Sequence, residues 1–468
     1  MNRKEAKVKL GLAFDLIIQT SHPLEMKKWS RIVKISKKVE NEYRALPFRY
    51  QTIVERLKRE GFFVNSTILE EIHLSDEYKQ ALKLNVQLRD YQKETLTRFT
   101  LNKYRGVVIL PTAAGKTIIG LSALEKIKQK TLIVVPVINL LEQWIKAIVE
   151  FTSITREMVG QFGDNVKEIK DITVTTYASA RQNINTLRKH FSFIIFDEVH
   201  HLPAEKTIKI AEGFPAPYRL GLTATPDRAD SGEKELYTLI GPQIVVSTIS
   251  DLVNEGFVAK FDLETIEIDL FQKEQMQYEK YMNIYRSYLR KRKIQIRSPK
   301  DYERYLVFRV NVDPEAKEAL EAHRKARTIV YSSQSKLVKI AELLKRHKSD
   351  RVLIFSEFND MVYMISKRFL IPSITHETKS SERNVILKKF KEGKYSKLVT
   401  GKVLDEGLDV KEANVGIIVS GSGQSRQFIQ RLGRLLRPKT EKVKLYELVT
   451  SSSLEVSTAK RRKKSEII

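Results

Sequence analysis

The sequence predicts an α/β protein of two parallel-sheet lobes, with a small α/β unit ahead of the first and a helical insertion within the second. Three observations carry that expectation. Short apolar runs such as Gly106-Val107-Val108-Ile109-Leu110 and Phe193-Ile194-Ile195-Phe196 alternate with stretches of helical periodicity, as buried parallel strands and their crossover helices require. Both runs lead into polar strings, PTAAGKT at 111–117 and DEVHH at 197–201, and sheets of this kind bind ligands at the carboxyl ends of their strands. The 468 residues, 42% of them hydrophobic, suffice for roughly three domains with real cores.

Residues 1–84 read as the small α/β unit and 85–255 as the first lobe. There the run at 106–110 is a strand and 117–128 a helix, so PTAAGKT has the strand–loop–helix setting of a phosphate loop. Pro111, Thr112, Ala113, Ala114 and Gly115, followed by a helix N-terminus, form an anion cradle. Lys116 suits the β- and γ-phosphates of a nucleoside triphosphate, and the Thr117 hydroxyl suits Mg²⁺. Leu110 occupies the first position of the G-x-x-x-x-G-K-[ST] pattern, and Ala113 stands where a further glycine is common. Alanine tolerates positive φ poorly, so a looser grip on nucleotide is expected. The strand at 193–196 delivers Asp197 and Glu198 to the carboxyl edge. Asp197 suits the magnesium, and Glu198 suits a base that orients and deprotonates the attacking water. His200 and His201 lack the H-E-x-x-H spacing and the chain has no cysteine, so zinc is not expected.

The second lobe is set at 256–450, with a strand at 257–270 and a helical insertion at 271–327. Near its end lies QRLGRLLRP at 430–438. Arg434 and Arg437 stand three apart, on one helix face. Beside the other two strings they read, with Gln430, as groups that stabilise charge on the leaving phosphate. In the insertion, Tyr278, Tyr281, Tyr285 and Tyr288 recur at helical spacing with Met282 and Leu289, a stripe expected to pack on a partner near 302–306. Arg286, Arg290, Lys291, Arg292 and Lys293 flank it, and Arg290, Lys291 and Arg292 are candidate phosphate contacts. Residues 451–468 form a basic tail past the last strand, expected to be disordered.

Composition points the same way. The 83 Lys and Arg against 57 Asp and Glu give a formal net charge of +26, the mark of a polyanionic partner. The absence of cysteine excludes disulfides, thiolate zinc sites and thiolate-held iron–sulfur clusters. The apolar stretch at 10–18 is short and broken by Asp15, so it is neither signal peptide nor membrane span, and a cytoplasmic protein is expected.

Together these strings resemble a superfamily-two helicase of the DExH type. Leu88-Arg89-Asp90-Tyr91-Gln92 resembles the segment whose glutamine reads adenine, which implies nucleotide contacts for Arg89 and Gln92. Val134-Val135-Pro136 and Thr175-Thr176-Tyr177 resemble the strand-contact motifs of the first lobe, which implies nucleic-acid contact by Thr176. Thr223-Ala224-Thr225-Pro226 resembles the coupling motif, with Thr223 and Thr225. Val352-Leu353-Ile354-Phe355 is similar to the run that opens the second lobe's sheet, and Glu406-Gly407-Leu408-Asp409 to the motif that touches ribose, with Gly407 and Asp409. Arg228-Ala229-Asp230 resembles the Arg-Glu-Asp motif of the XPB family, alanine replacing the middle acid, which puts Arg228 and Asp230 in a nucleic-acid or coupling role. Tyr43-Arg44-Ala45-Leu46-Pro47-Phe48-Arg49-Tyr50 is similar to the damage-recognition domain of archaeal XPB proteins, and the basic insertion to their thumb.

The resemblance covers nearly the whole chain. It implies RecA-like lobes, ATP and Mg²⁺, forked or partly single-stranded DNA as substrate, and a partner nuclease. The implied function is an ATP-dependent DNA helicase or translocase that opens or remodels duplex DNA in repair or transcription. Two other readings stay open: an RNA-stimulated or branch-migrating translocase, and an ATP-regulated DNA-binding scaffold that positions the nuclease.

Overall fold

The computed structural model describes residues 4–13, 15–37, 39–66, 68, 72–110, 114–163, 165–202, 207–224, 233–245, 251, 261–297, 299–401, 413–420 and 443–456. The chain divides near residue 247 into two compact units.

The first unit holds two sheets. The small one contains β1 (Glu5–Leu10), β2 (Leu16–Thr20), β3 (Lys34–Ile35), β4 (Glu42–Ala45) and β5 (Phe63–Asn65), in the order β3-β4-β2-β1-β5. Period-two burial along β1 and β2 sends Ala6, Val8, Leu16 and Ile18 to one face. There they meet Ile53 and Leu57 of the helix Tyr50–Arg59 and the buried Trp29. Phe48 belongs to neither of these. It joins the core of the large sheet, so this small domain is anchored to the first lobe.

The large sheet is built from β6 (Arg105–Ile109), β7 (Thr131–Val135), β8 (Val159–Gly163), β9 (Val166–Lys167), β10 (Ile172–Thr176), β11 (Phe193–Asp197), β12 (Tyr218–Thr223) and β13 (Gln243–Val245). Its order is β13-β6-β12-β11-β7-β10-β8-β9, and all neighbours run parallel except β8 and β9. The central strands are buried on both faces, which explains their unbroken apolar runs. Parallel pairing puts the carboxyl ends of β6, β12, β11, β7 and β10 on one edge, and that edge carries the site.

The second unit has a six-stranded parallel sheet of β14 (Phe261–Ile268), β15 (Val352–Phe355), β16 (Ser373–Ile374), β17 (Lys397–Thr400), β18 (Val415–Ile418) and β19 (Val443–Thr450). The order is β14-β19-β18-β15-β17-β16. Between β14 and β15 lies the insertion, whose long helices are Gln272–Lys291 and Pro314–Tyr331. Tyr278, Met282, Tyr285 and Tyr288 are buried there against Ala316, Ala319, Leu320, Ala326 and Val330. The stripe is therefore a core, and its main partner is the Pro314–Tyr331 helix, with Leu306 joining from the expected 302–306 segment. That helix carries the insertion four residues past the 327 boundary read from sequence.

The other end of the lobe also differs from the sequence reading. Order continues past Thr450 into a turn at 454–456, where Glu455 pairs with Lys336, both fully buried. A carboxylate five residues beyond β19 thus completes the lobe's interior, six residues of the segment read as tail being described here and 457–468 lying outside the described residues. No described helix is long and apolar enough to cross a membrane.

Candidate nucleotide site

The described part of the site is assembled at the carboxyl edge of the first lobe's sheet. Gly115 caps the helix Lys116–Ile127 with φ +74°, in the left-handed region. Only glycine fits, because a Cβ there would also lie 2.7 Å from Gln92 Nε2. The Gln92 carboxamide is buried against the phosphate loop, and its Oε1 accepts from the Arg89 backbone N–H at 3.0 Å to cap its own helix, Asp90–Leu101. The structure thus gives Gln92 a supporting contact to the loop alongside the adenine contact implied by resemblance. Arg89 donates to Tyr91 Oη at 3.3 Å.

Lys116 opens the helix. Its Nζ lies 3.4 Å from the Leu110 carbonyl and 3.8 Å from Glu198 Oε1, with both side chains largely buried. Thr117 follows on the first turn and Ala114 is fully buried. Asp197 ends β11, and both its oxygens are engaged: Oδ1 accepts from the Glu198 backbone N–H at 3.0 Å and Oδ2 from Trp144 Nε1 at 2.8 Å. Burial, and then the adjacent Glu198 carboxylate, push the Asp197 carboxyl up to about 6. Glu198 sits at φ +46°, a conformation non-glycine residues seldom adopt. Its Oε2 is buried and makes no hydrogen bond.

The following turn ties this corner to its neighbours. His200 Nδ1 lies 3.1 Å from Thr223 Oγ1 at the end of β12, and 3.4 Å from Glu198 Oε2. Tyr177 donates to the Asp197 carbonyl at 3.1 Å. Thr176 is 7% exposed, and its Oγ1 accepts from the Ser179 backbone N–H as a helix cap; that oxygen is already committed within the fold.

The sequence reading thus has Gln92, Gly115, Lys116, Asp197, Glu198 and Thr223 on one sheet edge. It missed Trp144, Tyr177's bond to Asp197 and the His200 link. Trp144 recurs with Leu141, Ile145 and Ile148 as a buried helix face, so spacing alone reads it as core. Pro111, Thr112, Ala113, Thr225, Arg228, Asp230, Gly407, Asp409, Gln430, Arg434 and Arg437 lie outside the described residues. In the insertion, Lys291 bonds Glu315 at 2.5 Å, and Arg292 lies 3.2 Å from Asp313. Two of the three candidate phosphate contacts there are therefore already paired with acids, while Arg290 pairs with none among the described residues.

Two parallel-sheet lobes, with a phosphate-loop lysine beside an Asp-Glu pair at the strand ends of the first, are the frame of a helicase-type ATPase. Residues 85–228 match the family model described as type III restriction enzyme, res subunit, and 335–439 that described as helicase conserved C-terminal domain. The chain is 36% identical over 437 residues to the DNA 3'-5' translocase XPB2 of Sulfurisphaera tokodaii, covering 93% of this chain and 95% of that one. It is 30% identical over 389 residues to the DNA 3'-5' helicase XPB of Mycobacterium tuberculosis, covering 81% of this chain and 63% of that one. Against the putative DNA 3'-5' helicase Rad25 of Halobacterium salinarum it is 28% identical, spanning 62% of that protein's length. The helicase domain of Pyrococcus furiosus Hef shares the fold, with a TM-score of 0.56 at 17% identity, over 80% of this chain and 99% of that one. The chain belongs to the XPB family of ATP-dependent DNA helicases and translocases.

Proposed function

We propose that this protein is a motor that tracks along DNA in the 3'-to-5' direction and uses ATP to open or remodel duplex DNA. One observation carries the catalytic part: Lys116 Nζ and Glu198 Oε1 stand 3.8 Å apart at the strand ends, with Asp197 beside them. A γ-phosphate drawn to Lys116 comes within reach of the Glu198 carboxylate. Glu198 then orients a water for in-line attack on the γ-phosphorus and takes its proton as the bond to the leaving ADP oxygen breaks.

Asp197 and Thr117 carry hard oxygen donors, the set that would suit Mg²⁺. Bound there, Mg²⁺ would neutralise charge on the β- and γ-phosphates. Lys116 holds the phosphates, the Asp197 position is fixed by Trp144, and Gln92 braces the loop. Gln430, Arg434 and Arg437 are proposed, from sequence, to stabilise the transition-state charge, and Gly407 and Asp409 to meet the ribose. Thr176, Thr225, Arg228, Asp230 and Arg290 are proposed for nucleic-acid contact or coupling. A nuclease acting on the exposed DNA is the proposed partner, and the cell interior the proposed setting.

The test compares ATP turnover with single-stranded DNA, forked DNA and RNA, together with directional strand displacement. DNA-stimulated turnover, abolished in Lys116→Ala and with ATP binding retained in Glu198→Gln, is expected. Robust hydrolysis by either variant refutes the residue roles. Stimulation by RNA alone favours the RNA motor, and tight DNA binding with negligible turnover favours the scaffold.

A further inference from the structure

Trp144 lies midway along the helix Ile138–Phe151, which begins just beyond the carboxyl end of β7. Strand β7 pairs with β11 on one side, Val134 opposite Phe196, and with β10 on the other, Val135 opposite Thr176. The helix therefore grows out of the strand that separates the Asp197 corner from the Thr176 corner.

The Trp144 ring is 2% exposed and wedged between two parts of the nucleotide site. On one side its indole N–H donates to Asp197 Oδ2 at 2.8 Å, a buried bond to a carboxylate. On the other, the ring lies against the phosphate-loop helix at Gly120, so closely that a Cβ there would fall 2.6 Å from Trp144 Cη2. An apolar side chain would satisfy the packing. The buried N–H has its one partner in Asp197, and a charge-assisted bond of this kind fixes the carboxylate's direction.

We infer that Trp144 is a positioning residue of the ATP site. Its indole N–H holds Asp197 in the orientation that binds Mg²⁺, and it makes the Ile138–Phe151 helix the lever by which strand contact after β7 and at Thr176 reaches that carboxylate. The inference rests on the ATP-motor reading above. A shift of this helix displaces the indole, and with it the Asp197 side chain, while Gly120 keeps the ring's other edge on the phosphate-loop helix. Grip on nucleic acid and metal binding then share one rigid connection.

The experiment places 3-benzothienylalanine at position 144 of the full-length chain, which keeps the ring shape and replaces N–H with sulfur; Trp144→Phe is the second variant. The Mg²⁺ concentration for half-maximal ATP turnover should rise about tenfold, the size of a charge-assisted hydrogen bond. The DNA-stimulated to basal turnover ratio should fall several-fold. ATP binding without metal should stay unchanged, which a merely structural role would not predict. The chain has two tryptophans. In a Trp29→Phe background, Trp144 emission should therefore shift when Mg²⁺ and a non-hydrolysable ATP analogue are added together. A parent-like metal requirement and DNA stimulation in the benzothienyl variant overturn the inference. So does an emission spectrum indifferent to the metal–nucleotide pair, which also decides the matter should both variants misfold. A parent that binds metal–nucleotide with the emission shift but never hydrolyses ATP sinks the motor reading and leaves this one standing.

Discussion

Glu455→Gln should unfold the second lobe at markedly lower temperature, although residue 455 lies past the last described strand. Lys336 and Glu455 are both 0% exposed. The Lys336 ammonium is 2.8 and 3.0 Å from the two carboxylate oxygens and donates to the Val419 carbonyl at 2.7 Å. Glu455 Oε2 also accepts the Thr450 backbone N–H at 2.9 Å. The amide keeps an oxygen for one of these donors but removes the countercharge, leaving a cation in the interior. Breaking a buried pair from one side costs about 3–5 kcal/mol. For a unit of this size each kcal/mol moves the midpoint by about 2–4 °C, so a drop of about 6–20 °C is expected. Scanning calorimetry of the full chain resolves it as a shift of one transition. Truncation after Ser453 removes Glu455 and should cost at least as much. A Glu455→Gln midpoint indistinguishable from the parent would refute the reasoning, because the ammonium would then have found water or another partner.

Three further outcomes are expected. Arg434→Ala and Arg437→Ala should lower the ATP turnover rate more than ATP affinity, since an arginine that meets transition-state charge acts on rate; steady-state kinetics with a nucleotide-binding titration separate the two. Replacing Arg290 and Lys293 with Ala should flatten the salt dependence of DNA affinity by up to about 0.7–0.9 per lost phosphate contact. Replacing Lys291 and Arg292 should do less, because Glu315 and Asp313 already hold them. His323 is half-buried, stacked on Tyr285 and bonded to Tyr302 Oη at 2.9 Å, and partial burial, then Arg327, pull its pKa down to about 4. The folded value lies below the ordinary ~6.5, so its contribution is complete above pH ~6.5 and is lost as pH falls toward 4. Near-ultraviolet circular dichroism of the insertion's tyrosines should show that loss, and His323→Gln should shrink it.

Elements that are local in the chain are legible from the residues. The runs at 106–110 and 193–196 declare buried strands because both faces of a parallel strand need apolar residues. Gly115 and Lys116 announce the loop, and Asp197-Glu198 the carboxylate edge, since each string carries its chemistry within a few residues. The tyrosine stripe declared a helix face, though its main partner, 314–331, could not be read from spacing. Which atoms meet across long separations emerges only on folding. Trp144 reads as one more apolar position of its helix until folding sets its N–H on Asp197, 53 residues on. Glu455 reads as part of a polar tail until it is placed, 119 residues from Lys336, inside a lobe. Likewise Lys291 and Arg292 read as free cations until Asp313 and Glu315 arrive beside them. The physical reason is common to all three. Periodicity records whether a side chain faces inward, while a hydrogen bond or ion pair depends on one particular partner, and the finished fold supplies it.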